Sequence, residues 1–294
     1  MAATASTDDN VAVLHCGAYR IVFDRPRIMG ILNITPDSFS DGGLLFEGGK
    51  PSLDKVLRRA QCMLAEGADC IDIGGESTRP RAPTVSSQEE LERVLPVLEL
   101  LRAEFDVPLS IDTSNPQLMR EAGKRGAALI NDVRALQRDG ALQAVAGSNM
   151  AVCLMHMQGE PQDMQLAPEY TDVTAEVGNF LSTRAERCVA NGIAAGRIML
   201  DPGFGFGKNL QHNLTLFRNL PALLELNYPL LIGISRKSMI GSILGKDVAK
   251  RLTGGLALSA LAAFHGVHML RTHDIQATVD AVATTMAIKD LPNQ

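Results

Sequence analysis

The sequence contains no uninterrupted apolar run near the ~18 residues that a membrane span requires, which excludes a membrane-spanning helix. It has no Lys/Arg-rich block either, and 33 acidic residues outnumber 28 basic ones, giving a formal charge of −5. Holding duplex or single-stranded nucleic acid means neutralising several phosphates, so a polymeric anion is excluded as a partner while a small anion is not. The five cysteines, Cys16, Cys62, Cys70, Cys153 and Cys188, are odd in number and nowhere spaced C-x-x-C, which argues against a disulfide framework and a structural zinc site. They read as reduced core thiols. The opening MAATASTDDN has neither a basic start nor an apolar core. The expectation is therefore a flexible tail over residues 1–10, no secretion signal, and a reducing cytoplasm.

The chain that follows has 294 residues, with 46% hydrophobic and 21% charged, an ordinary composition for a soluble globular protein. That length allows two domains, but (β/α) barrels of about 250 residues form one. Eight short apolar, β-branched runs recur: Ile28 to Ile34, Cys70 to Gly74, Leu109 to Ile111, Ala128 to Ile130, Ala151 to Met155, Ile198 to Leu200, Leu230 to Ile234 and Val267 to Leu270. Between them lie stretches of helical period, such as Leu53, Val56, Leu57, Ala60, Met63 and Leu64, which form one apolar stripe. Ser87 with Glu90 predicts a capping box, and Asn115 with Pro116 an N-cap and first-turn pair. Strand alternating with helix means parallel strands, and eight units predict a closed (β/α)8 barrel spanning 11–294 as a single α/β domain. An open doubly wound sheet is the rival, but no dinucleotide fingerprint accompanies it. Val11 to Phe23, with Gly17 near its middle, predicts an N-terminal β-hairpin covering the lower end of the barrel.

In such a barrel the chemistry gathers at the C-terminal ends of the strands. Those positions hold Asn33, Asp72, Glu76, Ser77, Thr78, Arg79, Asp112, Asn131, Asp132, His156, Asp201, Ser235, Arg236, Lys237, Arg271 and His273. Taken singly, each is more often a cap or a turn former. Together, the cations Arg79, Arg236, Lys237, Arg271 and His273 suit a pyrophosphate or similar anion, local field outweighing net charge. Asp112, Asn131 and Asp201 suit a flat heterocycle carrying N–H donors beside carbonyl acceptors, which describes both a pterin and guanine. The loop LNITPDSFSDGG, residues 32–43, brings Asp37, Asp41 and Phe39 to a position from which it could close over a substrate. Four other motifs fail. The glycines of DPGFGFGKN match neither a phosphate-binding loop nor a dinucleotide fingerprint, since Asn209 stands where Ser or Thr is required and Lys208 where a third glycine is. His265 and His268 lack a Glu partner and read as flanking a helix end. No G-x-S-x-G elbow supports acyl transfer.

The segments LNITPDSFSDGG, DIGGESTRP, SIDT, NDV, LMHMQG, LDPGFGFGKN, SRKSMIG and RTHD, in that order from about residue 27 to 273, resemble the dihydropteroate synthases. The resemblance implies a transferase that joins a dihydropterin hydroxymethyl pyrophosphate to 4-aminobenzoate with Mg²⁺, is a target of sulfonamides, and forms a homodimer. It assigns the pterin to Asp112, Asn131, Met155, Asp201 and Lys237, and the pyrophosphate to Asn33, Arg271 and His273. Thr78, Arg79, Pro80, Phe206 and Ser235 would flank the aminobenzoate, with Lys237 beside them and Phe39 folded over it. Asn33 and Asp41 would hold the metal, and Lys237, Arg79, Asp41 and Phe39 would form the catalytic set. One departure is Arg81, where the family usually has glycine. The rivals are a corrinoid-type pterin methyltransferase, which has little use for Arg271 and His273, and a non-catalytic pterin binder, against which Asn33, Arg79 and Lys237 are all present. Leu256, Leu258, Leu261 and Ala262 are the candidate dimer face.

Overall fold

The computed structural model describes residues 11–35, 45–47, 50–77, 85–160, 164 and 167–291. In chain order its elements are β1 (Val13–Cys16), β2 (Tyr19–Val22), β3 (Arg27–Asn33), β4 (Phe46–Glu47), β5 (Lys50–Pro51), α1 (Leu53–Ala65), β6 (Cys70–Gly74), α2 (Ser87–Glu104), β7 (Leu109–Asp112) and α3 (Pro116–Lys124). They continue with β8 (Leu129–Asp132), α4 (Ala141–Ala146), β9 (Ala151–Met155), α5 (Val173–Ala190), β10 (Ile198–Asp201), α6 (Leu210–Arg218), α7 (Leu220–Leu224), β11 (Leu231–Ile232), α8 (Ser238–Leu244), α9 (Leu252–His265), β12 (Met269–Thr272) and α10 (Ile275–Lys289). Eight strands pair in parallel in the order β10-β9-β8-β7-β6-β3-β12-β11. A parallel bridge between Leu200 and Leu230, with the Leu200 N–H donating to the Pro229 carbonyl at 2.9 Å, joins β11 back to β10. The barrel is closed, as the eight-run pattern predicts.

Side chains alternate across each strand with a period of two, so one sequence serves two cores. On β6, Ile71 and Ile73 pack outward among Val56, Met63, Val94 and Leu98 of the helices, while Cys70 packs inward. The lower interior is filled by Met29, Cys70, Leu129, Ala151, Met199, Leu231 and Met269, and closed by Leu14, Cys16 and Ile21. The last three belong to the antiparallel hairpin of β1 and β2, anchored where the Gly17 N–H donates to the Asn149 carbonyl at 2.8 Å. That hairpin plugs the lower end, so the interior is a packed core with only its upper mouth open to chemistry. No helix among the described residues is long and apolar enough to cross a membrane.

Two local expectations change. Strands β7, β8, β10 and β12 run on through Asp112, Asp132, Asp201 and Thr272, beyond the apolar runs. A polar side chain at a strand's upper end is tolerated there because it meets partners in the mouth or on the first turn beyond, and the backbone ladder continues beneath it. β11 is shorter than its run, because the chain already turns at Ile234, whose carbonyl accepts from the Lys237 N–H at 3.2 Å. The capping box is also corrected. Ser86 caps α2, accepting from the Glu89 N–H at 3.2 Å, and Glu90 is buried, accepting instead from Thr113 Oγ1 at 2.6 Å and Asn115 Nδ2 at 3.1 Å. Those buried donors beyond β7 hold the carboxylate better than the helix end could. Asn115 caps α3 as expected, accepting from the Gln117 N–H at 3.0 Å and the Leu118 N–H at 3.4 Å.

Candidate active site at the barrel mouth

Asn33, Asp112, Asn131, Met155, Asp201 and Arg271 stand at the upper ends of β3, β7, β8, β9, β10 and β12, and Ser235, Lys237 and His273 on the loops after β11 and β12. Arg271 organises the floor. Its Nε donates to Asp72 Oδ2 at 2.6 Å and its Nη2 to Asp112 Oδ2 at 2.8 Å, while Asn131 Nδ2 donates to the same Asp72 oxygen at 3.1 Å. Asp72 is wholly buried, and its Oδ1 has no hydrogen-bond partner among the described residues. Glycines keep this floor close-packed: a side-chain carbon at Gly74 would lie 3.3 Å from Asn33 Oδ1 and 3.7 Å from Asp112 Cβ.

A second cluster faces it. Lys237 donates to the Phe204 carbonyl, and its Nζ stands 4.7 Å from the centre of the Phe206 ring. Asp201 Oδ1 accepts from the Gly203 N–H at 2.7 Å. Ser235 Oγ accepts from the His273 N–H at 3.2 Å and lies 3.1 Å from His273 Nδ1, so the loops after β11 and β12 are tied together. Gly203, Gly205 and Gly207 all adopt positive φ. A side-chain carbon at Gly203 would sit 1.9 Å from the His156 carbonyl oxygen, and one at Gly207 would sit 2.2 Å from that of Gln158. Gly203 and Gly207 thus serve close backbone contact, while the open side of Gly205 borders the Lys237 stem.

Charge in the mouth is finely matched. Burial pushes the Asp112 carboxyl up to about 7, with Arg271 pulling it down and Asp72 pushing it further up. Burial also raises Asp201, against the attraction of Lys237 and Lys208. The Lys237 ammonium is pushed down to about 8 by burial, which Asp201 partly offsets. Arg271 is pushed above its ordinary value, the two aspartates outweighing its burial. The site therefore sets Lys237 and Arg271 against Asp112 and Asp201, whose carboxyls burial raises, a surface that donates and accepts along adjoining edges.

Other rim residues serve the fold. Arg236, with φ of 58°, turns its guanidinium to Asp274, its Nε donating at 3.1 Å. Asp132 accepts from Ser114, from the Arg134 N–H at 2.9 Å and from the Leu136 N–H at 2.7 Å, which holds a turn. His268 accepts from the Leu230 N–H at 3.1 Å just beyond α9, the structural role its position implies. Phe39, Asp41, Thr78, Arg79, Pro80 and Arg81 lie outside the described residues. Asp72 stands in the strand-end set but drew no role from sequence, and Lys208 drew notice only for spoiling a glycine pattern. Period two on β6 places Asp72 inside the barrel beside Arg271 and was the signal available; nothing in the sequence pairs Lys208 with His156.

A family model described as pterin binding enzyme matches residues 29–273. The chain is 50% identical over 268 residues to a dihydropteroate synthase of Escherichia coli (strain K12), covering 90% of this chain and 93% of that protein. It is 49% identical to one from Haemophilus influenzae over 89% of this chain and 94% of that one. Among solved structures, a Yersinia pestis dihydropteroate synthase with a sulfonamide drug complex superposes with a TM-score of 0.91 at 48% identity, covering 95% of this chain and 100% of that one. A Burkholderia cenocepacia dihydropteroate synthase complexed with 7,8-dihydropteroate gives 0.84 at 44%, covering 95% and 96%. With a closed barrel whose mouth gathers Asp112, Asn131, Asp201, Lys237 and Arg271, the chain belongs to the pterin binding enzyme family and, within it, to the dihydropteroate synthases.

Proposed function

We propose that this transferase condenses 6-hydroxymethyl-7,8-dihydropterin pyrophosphate with 4-aminobenzoate at the upper mouth of the barrel, releasing pyrophosphate and forming 7,8-dihydropteroate. What supports this reading is the convergence of Asp112, Asn131, Asp201 and Lys237 around Arg271, a set whose acceptors and donors complement a pterin edge. Met155, whose side chain approaches Gly203, packs beside the ring. Asn33, Arg271 and His273 take the pyrophosphate. Phe206 and Ser235 flank the aminobenzoate, a subsite that the family resemblance extends to Thr78, Arg79, Pro80 and Phe39. Sulfonamides, similar in shape, compete there. Arg271 reaches the diphosphate from the rim end of its guanidinium while Asp72 and Asp112 hold the rest of it.

The C–O bond breaks first and pyrophosphate leaves with the electron pair, because the methylene cation is conjugated with an electron-rich ring. The neutral arylamine then attacks that carbon, and the acidic proton of the resulting anilinium nitrogen passes to the released pyrophosphate or to water, so no strong base is needed. Lys237, recessed between Asp201 and Phe206, holds the pterin carbonyl side while its aliphatic stem borders the amine. Excluding water from the mouth keeps the cation for the amine.

Magnesium takes hard oxygen ligands, keeps several waters and shares phosphate oxygens with its partner. The Asn33 amide oxygen, at the end of β3, is such a donor, and the described residues contain no cluster of three or more His, Cys, Asp or Glu that could hold a metal unaided. This chemistry fits a site completed by the diphosphate, with Asn33 and Asp41 as its protein ligands. Bound there, the ion would stabilise the charge of the departing pyrophosphate.

Incubating the pure protein with both substrates and Mg²⁺ tests the reading: pyrophosphate release that depends on aminobenzoate is expected, and release that ignores it would contradict condensation. Because Asp112 must be ionised to accept from the pterin and Lys237 protonated to donate to it, activity rises with pH through about 7 and falls through about 8. A profile of kcat/KM for the pterin substrate that is flat from pH 6 to 9 would remove both assignments. We also infer a homodimer through α8 and α9, where Leu261 and Phe264 are 51% and 52% exposed and Ile243 and Leu244 are exposed as well. Of the expected face, Leu256 and Leu258 are half-buried and Ala262 is buried. Sedimentation equilibrium should report two chains; a single-chain mass at micromolar concentration would refute it. A cytoplasmic location accords with five free thiols, four of them buried.

A further inference from the structure

Lys208 is among the largest fully buried side chains, 2% exposed. A buried ammonium is costly unless every N–H finds an acceptor. Here the acceptors are His156 Nδ1 at 2.9 Å, the Gly203 carbonyl at 3.0 Å, the Phe206 carbonyl at 3.1 Å and the His156 carbonyl at 3.4 Å. Methionine would fill such a volume at lower cost, and burial pulls the Lys208 ammonium well below its ordinary value, so the amine is retained for what it ties together. Those four acceptors belong to two segments only: the exit of β9 and the loop 203–207.

The same two segments are pressed together at Gly203 and Gly207, where no side chain fits. His156 is itself braced, edge-on to the Phe180 ring with centres 4.9 Å apart. Burial and Lys208 hold its imidazole down to about 3, so the ring is neutral at pH 7, and the tautomer with its proton on Nε2 presents Nδ1 to Lys208 as an acceptor. Tyr170 closes the arrangement, its hydroxyl donating to the Gly207 carbonyl at 2.8 Å. The clamped loop carries both groups that Lys237 touches, the Phe204 carbonyl and the Phe206 ring. The Phe206 carbonyl is itself one of the Lys208 acceptors, and the Phe206 N–H closes a turn onto the Gly203 carbonyl at 3.0 Å.

We propose that Lys208, seated on His156, is a positioning residue for the aminobenzoate half of the site: it fixes the 203–207 loop so that Phe206 and the Phe204 carbonyl hold Lys237 at the junction of the two substrates. This rests on Phe206 being a wall of the aminobenzoate subsite. A displacement of Phe206 of about 1 Å is enough to misalign the arylamine, whereas the pterin contacts of Asp112 and Asn131 stand on β7 and β8, to which Lys208 makes no hydrogen bond.

Steady-state kinetics on the full chain test it, with circular dichroism to verify folding. Lys208→Met should raise KM for aminobenzoate about tenfold or more, and His156→Phe about threefold, with KM for the pterin substrate within about twofold of the parent. His156→Asn keeps an acceptor oxygen near the Nδ1 position and should restore the parent KM, a rescue that loss of packing alone would not give. If Lys208→Met does not fold, the two His156 variants carry the test. Phe206→Ala serves as reference. If it raises the aminobenzoate KM while folded Lys208 and His156 variants do not, the clamp is overturned and the subsite stands; if it leaves that KM unchanged, the subsite and the clamp fall together. Equal rises for both substrates would also overturn the clamp.

Discussion

Lys237→Ala should lower kcat/KM about 1,000-fold, equivalent to about 4 kcal/mol of transition-state stabilisation, while leaving the barrel folded. Two losses combine. The variant lacks the donor aimed between the pterin and the amine, and it also removes the nearest cation from Asp201, which burial already pushes upward. Without Lys237 the Asp201 carboxyl takes up a proton nearer neutrality and stops acting as a clean acceptor for the pterin. Stability should change by no more than about 1 kcal/mol, since the lost hydrogen bond to the Phe204 carbonyl is offset by the desolvation that removing a recessed ammonium relieves. Pyrophosphate release and thermal unfolding, measured on the same preparation, check both parts. Full turnover would take Lys237 out of the site.

Arg271→Met should be the most damaging change to the fold itself. The guanidinium separates Asp72 from Asp112, and Asp72 has no exposed surface. Removing one partner of a buried ion pair leaves charge uncompensated, at a cost of about 3–5 kcal/mol. Asp112 can relieve part of that by protonating, which fixes the sign of the pH effect. Its folded value, already raised to about 7, rises further without Arg271, so between its ordinary value of about 4 and the folded value the native state binds more protons than the unfolded chain. Stability of the variant therefore falls as pH rises across that window, more steeply than in the parent. Melting temperatures from pH 5 to 8 should diverge, with the gap widest at pH 8. A constant gap would mean that Asp112 does not take up the charge.

Most of the architecture is legible in the sequence because strands buried on both faces must be short apolar runs, and helices between them must carry one apolar stripe. Ile71 and Ile73 facing the helices, with Cys70 facing the interior, satisfy both demands at once. What sequence could not supply is which polar residue meets which. Glu90 stands where a capping box expects it, yet its partners are Thr113 and Asn115, about two dozen residues away in the chain. Arg236 and Lys237 are neighbours, but a positive φ at Arg236 sends one to Asp274 and the other to the mouth. Asp72 looks like one strand-end carboxylate among several until Arg271, 199 residues later, is seen against it. Such pairings follow from barrel closure, a long-range event that no local pattern encodes.

The most direct measurement is a calorimetric titration of 6-hydroxymethyl-7,8-dihydropterin into the parent protein and into Asp201→Ala at pH 7.5, a pH chosen between the Asp112 and Lys237 values of about 7 and about 8. The expected result is one site per chain in the parent and binding at least 100-fold weaker in the variant, because the aspartate's acceptor is removed and Lys237 loses its counter-charge. Equal affinity in the two proteins would contradict a pterin site in the barrel mouth.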